Sequence, residues 1–105
     1  MASSKEAFRK LGNWKKSKTV LKVTVLTKGD PPETLTGLIM GVDEFTMQVA
    51  LGLLPSRNFV AFDLTDVTFS LGRLLLEARR SPDEILSFAD TGEIYRGIDT
   101  KKSPR

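Results

Sequence analysis

Leu35-Thr36-Gly37-Leu38-Ile39-Met40-Gly41-Val42-Asp43-Glu44-Phe45 is the stretch that decides the fold. Its apolar residues and Thr36 suit an extended strand, and two glycines interrupt it. Glycine inside a strand marks a bend or bulge, the feature a small and strongly curved sheet needs. Asp43-Glu44 then makes a tight connection, and Phe45–Leu51 carries Phe45, Met47, Val49 and Leu51 on one face at a period of two.

Working outward, Thr19–Lys28 alternates in the same way, with Leu21, Val23 and Val25 opposite Lys22, Thr24 and Lys28. Gly29-Asp30-Pro31-Pro32 separates it from the strand at 34–42, because two consecutive prolines cannot donate to an interior ladder. A loop follows from Gly52 to Asn58. A fourth strand is expected at Phe59–Asp63 and a fifth at Val67–Leu71, joined by a short turn at Leu64-Thr65-Asp66. Upstream, Ser3 or Ser4 can cap a helix through Lys5–Gly12, with Ala7, Phe8 and Leu11 on one face and Gly12-Asn13 as its stop. So short a helix must dock on something to persist.

Arg73–Arg80 fits either an extended last strand or the start of a helix. Ser81-Pro82-Asp83-Glu84 places serine at an N-cap, proline at the first helical position and glutamate at the capping-box position. These residues predict a helix to about Asp90, closed by Thr91-Gly92. The fold class expected is mainly β: a small, strongly bent five-stranded barrel, SH3-like or Sm-like, with a short N-terminal helix and an added C-terminal helix. Its segments are a basic arm (1–18), the barrel (19–72), a helical extension (73–92) and a polar, mobile tail (93–105).

Composition narrows the chemistry. The 105 residues include neither cysteine nor histidine, which removes thiol chemistry, the usual zinc ligand and the usual proton shuttle near neutral pH. No enzyme activity, cofactor or metal is expected. Asp63 and Asp66 pair two carboxylates without a third ligand and read as turn caps, and Ser56 has no histidine base. Met1-Ala2-Ser3-Ser4-Lys5 has no apolar signal core, and no apolar run approaches the roughly 20 residues of a membrane span. A cytoplasmic protein without membrane contact is expected.

The net charge of +3 is unevenly placed: residues 1–18 carry +5, residues 19–72 carry −3, and the remainder +1. A polyanion should therefore meet the N-terminal arm first. Trp14 beside Lys15 and Lys16 reads either as an aromatic-basic patch for nucleic acid or as a ring packed on the barrel mouth.

The glycine-bent strand, the Val42-Asp43-Glu44-Phe45 corner and Phe59-Val60-Ala61-Phe62-Asp63-Leu64-Thr65-Asp66-Val67 resemble, in order, the two motifs of the Sm-like proteins, including the Hfq branch. The resemblance covers residues 19–71. It implies a ring of six or seven subunits in which the fourth strand of one copy pairs with the fifth of the next. Candidate interface residues are then Phe59, Val60, Ala61, Phe62, Val67 and Phe69. It also implies RNA as a partner, with Asp43, Glu44 and Phe45 facing bases and Trp14, Lys15 and Lys16 assisting. Phe45 would be a stacking platform on this view, and a core or ring-packing residue otherwise. Two departures stand out: Thr46-Met47 follows Phe45 where Sm proteins have Met-Asn, and Phe62–Asp66 lacks the Arg-Gly or Lys-His of the second motif. The alternative is a protein-interaction or scaffold module on the same barrel, without RNA.

Overall fold

The computed structural model describes residues 2–96. One helix, α1 (Ser4–Ser17), precedes seven strands: β1 (Thr19–Thr27), β2 (Glu33–Asp43), β3 (Gln48–Leu53), β4 (Phe59–Asp63), β5 (Thr68–Leu71), β6 (Leu75–Ser81) and β7 (Glu84–Ile94). They form a single antiparallel sheet in the order β4-β3-β2-β1-β7-β6-β5. Every ladder joins neighbours in sequence except β1–β7, which folds the chain's second half back onto its first. The sheet is an up-and-down meander left open along one seam, between β4 and β5. The architecture is mainly β with one N-terminal helix, as expected, but the sheet is open and has seven strands in place of a five-stranded barrel.

The glycine bend is where β2 changes partner. Gly37 pairs with Leu21 of β1 and with Leu53 of β3, so β2 serves one half of the sheet before it and the other after it. A Cβ on Gly37 would stand 2.2 Å from the Gly52 carbonyl oxygen, so only glycine permits this crossing of backbones. Three residues on, Met40 is the extra residue of a bulge against β3, which tightens the curl. The curl carries Phe62 of β4 over to Phe88 of β7, edge to face at 6.0 Å between centroids.

α1 lies across this curl, chiefly against β2, with β5 and β1 at its flanks. Ser3 caps it: the Ser3 hydroxyl accepts from the Glu6 amide at 3.1 Å, and the Glu6 carboxylate accepts from the Ser3 amide at 3.0 Å. The helix is longer than expected, because Gly12-Asn13 does not stop it. Trp14 continues the buried stripe of Ala7, Phe8 and Leu11, and burying that ring outweighs the roughly 1 kcal/mol cost of an interior glycine. The helix ends at Lys18, whose φ of 56° is left-handed. Phe8 meets Phe69 edge to face, and both join Leu21, Val23, Ile39, Val49, Leu51, Leu64, Leu76 and Phe88 in one core.

The largest correction concerns the helix expected after Ser81. That segment is the β6–β7 hairpin. Ser81 does cap, since its hydroxyl accepts from the Asp83 amide at 3.2 Å, but what it caps is the hairpin turn. Ile85, Leu86, Phe88 and Ala89 fit a helical stripe and also an alternation with Leu86 and Phe88 inward. β1 decides between them: it needs a partner on its second edge, and β7 supplies one from Thr27↔Glu84 to Thr19↔Ile94. Arg73–Arg80 likewise becomes β6 after a turn. β7 continues through Glu93 and Ile94, and Tyr95 donates its amide to the Lys18 carbonyl, so the polar tail begins later than expected. The mobility expected of 97–105 lies outside the described residues.

Candidate functional site

Asp43 opens the turn between β2 and β3. Its Oδ1 accepts from the amides of Phe45 at 2.9 Å and Thr46 at 3.3 Å, which fixes the backbone carrying both residues. Met47 closes the turn at a φ of 58°, a conformation bulky side chains rarely adopt. Phe45 therefore sits at the tip of a locked turn with its side chain fully in solvent, 100% exposed. It is not a core residue. The expected strand from Phe45 begins instead at Gln48. Glu44 is exposed beside it.

The turn between β4 and β5 lies at the same end of the curl, where the Leu64 amide donates to the Met47 carbonyl at 2.7 Å. Asp63 Oδ1 accepts from the Thr65 hydroxyl and from the Thr65 amide, and these two bonds, the hydroxyl's first, hold its carboxyl below the usual aspartate range. The expectation that Asp63 caps its own turn fits this geometry. Asp66 takes a φ of 59° in the same turn. Among the described residues there is no cluster of three or more acidic side chains placed to hold a metal.

Arg80 is the residue that sequence reading missed. It is the extra residue of a bulge in β6 against β7, which turns its side chain across the open seam. There its Nη2 donates to the carbonyls of Asp63 and Thr65, while Nη1 meets Glu84 at 3.3 Å. Arg80 thus latches the second turn to the β6–β7 hairpin. Behind the latch is a cavity of about 170 Å³ lined by Val25, Phe62, Leu64, Val67 and Leu86. That is smaller than the roughly 300 Å³ at the lower end of small-molecule clefts.

The basic arm is a separate patch. Trp14 is buried, and its Nε1 donates to Asp90 Oδ2 at 3.2 Å. Lys10 covers the ring at 5.0 Å and donates to the Arg73 carbonyl at 3.0 Å. Trp14 is thus the packed ring of the two readings. Lys15 and Lys16 stay in solvent on the last helical turn, with Lys15 bordering a groove formed by Leu38, Met40 and Tyr95. The middle of β2 lies along that groove, while Phe45 follows the end of the strand.

The candidate interface residues divide by strand edge. In β4, the ladder to β3 is fixed by the bonds Leu64 N to Met47 O and Leu53 N to Asn58 O, so Val60 and Phe62 bond inward while Phe59, Ala61 and Asp63 direct their backbone groups away from the sheet. Among the described residues, Arg80 takes the Asp63 carbonyl and the others have no partner. Phe59 is 66% exposed and borders an apolar groove with Leu38, Met40, Leu53 and Leu54. In β5, Phe69 is buried against Phe8 and its carbonyl already accepts from the Ala2 amide at 3.2 Å, while Val67, just before the strand, is half-buried. No helix among the described residues is long and apolar enough to cross a membrane. Comparison with family models, with curated proteins and with solved structures finds no match for this chain.

Proposed function

We propose that this protein is a non-catalytic, self-assembling curled sheet related to the Sm-like proteins, with single-stranded RNA as its ligand at the β2–β3 turn. The observation that carries the reading is Phe45: a whole aromatic ring held in water by a turn that Asp43 locks in place. Folding gains nothing from that ring, and a rigid exposed aromatic suits base stacking. Gly37 at the change of partner, a helix docked before β1 and two turns meeting at one end all accord with the family arrangement. The β4 edge, which has no strand partner among the described residues and has Phe59 beside it, supports assembly, since an unpaired strand edge recruits another chain. The ring the resemblance implies would join β4 to β5 of the next copy, and would have to displace Ala2 from Phe69 to do so.

Filter binding to oligo(U) and oligo(A) at moderate salt tests this. Phe45→Ala should weaken binding by about 1–3 kcal/mol without changing the oligomeric mass. If Lys15→Glu with Lys16→Glu abolishes binding and Phe45→Ala does nothing, contact is electrostatic through the helix alone. The second reading, a scaffold for a basic protein segment, is favoured by the carboxylates of Glu44, Asp63 and Asp66 around the two turns, where the one arginine is engaged with backbone carbonyls. Absence of binding to either oligonucleotide selects it.

A further inference from the structure

The outer face of β2, β3 and β4 holds a groove that the Phe45 turn does not use. Leu38, Gly52 and Phe59 stand in one row across these three strands, on the face turned away from the buried Ile39 and Leu51. Glycine in the middle of the row leaves a trough between two large side chains. Met40, the bulge residue of β2, leans into it: a Cβ on Gly52 would stand 2.7 Å from the Met40 Cγ. With Leu53 and Leu54 the trough measures about 330 Å³, inside the range of small-molecule clefts. Phe59 and Met40 are 66% and 48% exposed along it.

Arg57 is the one charged side chain in the lining. The β3–β4 turn fixes its backbone, since its amide donates to the Leu53 carbonyl at 2.8 Å and its φ is 68°. Glycine or asparagine would hold that left-handed position at less cost, so an arginine there points to a use for its side chain. Arg57 makes no ion pair among the described residues, although Glu93 lines a neighbouring pocket with it. A second groove shares Leu38 and Met40 and adds Lys15 and Lys18, with no carboxylate in its lining.

We infer that the trough binds a medium-chain fatty acid, with its carboxylate on the Arg57 guanidinium and its chain over Gly52 between Leu38, Met40 and Phe59. This site is separate from the Phe45 turn and stands or falls without it. Charge complementarity selects the occupant. A guanidinium presents a fork that matches the two oxygens of a carboxylate. The other lining side chains are apolar, so the fitting ligand is polar at one end only. A second copy set on this face about a two-fold axis would instead bring the Lys15, Lys18 and Arg57 of each chain toward the same cations of the other.

Methyl carbon-13 NMR of the methionines in the full chain tests the site, with Met40 in the trough and Met47 in the β2–β3 turn as the internal control. Octanoate should shift Met40 saturably and leave Met47 in place. Affinity should rise about threefold to fourfold for each methylene added from hexanoate to octanoate. Octanol, with the same chain and no charge, should bind at least about tenfold more weakly. Arg57→Gln should bring octanoate down to the level of octanol and leave octanol unchanged, which also shows that the trough is still folded. Equal binding of octanoate and octanol by wild type, or undiminished octanoate binding by Arg57→Gln, overturns the proposal. So does equal movement of both methionines, or no saturable Met40 shift with any of these acids. A Met40 shift that follows protein concentration without ligand assigns the face to a second copy. A peptide alternating glutamate and leucine that binds more tightly than octanoate assigns it to a protein partner, and either result overturns the fatty-acid site.

Discussion

Gly37 and Gly12 both interrupt regular elements, and they answer to different constraints. A side chain on Gly37 would strike the Gly52 backbone, which cannot give way, whereas nothing lies within 4 Å of the Cβ position of Gly12. Gly37→Ala should therefore cost about 2–3 kcal/mol or prevent folding, as overpacking does. Gly12→Ala should stabilise by about 0.5–1 kcal/mol through helix propensity. Urea unfolding of both variants checks the pair, and equal effects would refute the account of the bend. Asp63 offers a second test at this scale. Its carboxyl is lowered chiefly by the Thr65 hydroxyl. Whatever stability the ionised group lends is present above the ordinary aspartate range and fades as pH falls through the lowered value. Thr65→Val should bring the Asp63 carbon-13 titration back up toward the ordinary range; an unchanged midpoint would show that the hydroxyl is not the cause. The bending glycine and the Asp43 turn were legible in the sequence because both are local: a glycine between apolar residues and an aspartate opening a turn carry their meaning in neighbouring positions. The exposure of Phe45 was not, because position in a period-two run says which face a residue shares and nothing about where the strand begins.

At the scale of elements, β1 to β4 were readable to within a few residues at either end, since alternation and the Pro31-Pro32 and Pro55-Ser56 breaks are strong local signals. The hairpin β6–β7 was misread for a physical reason. Ser81-Pro82-Asp83-Glu84 begins a helix or tops a hairpin with the same side-chain capping, and Ile85–Ala89 satisfies both periods. The choice was made by the empty edge of β1, some sixty residues earlier in the chain. If β7 is the strand that completes the core, Phe88→Ala should be among the most damaging substitutions. The ring is wholly buried against Phe62, and its removal should cost about 3–5 kcal/mol in chemical denaturation. A loss below about 1 kcal/mol would place Phe88 outside the core. Trp14 shows the same dependence on distant partners: its neighbours Lys15 and Lys16 suggest a nucleic-acid patch, and Asp90 of β7 is what holds it.

For the molecule as a whole, charge and edges point in different directions. The basic helix and the acidic turns sit on separate parts of the surface, so a polyanion attracted by the first must be held by something other than charge at the second, and Phe45 is the side chain available. The seam explains how a meander of seven short strands stays curled without a ladder to close it: Arg80 reaches across from its bulge, and Phe62 packs on Phe88 behind it. None of this was visible in a sequence where Arg79-Arg80 looks like an ordinary charged pair, since a bulge is a property of two strands in register. The bare edge of β4 has the greatest consequence, because every other β4 amide is already bonded within the sheet. Amide hydrogen exchange of Phe59 and Ala61, read against Val60 and Phe62 at dilute and at concentrated protein, tests assembly through β4 most directly. Phe59 and Ala61 should exchange freely when dilute and become protected on concentration, while Val60 and Phe62 stay protected throughout. Fast exchange at Phe59 and Ala61 at every concentration would contradict it.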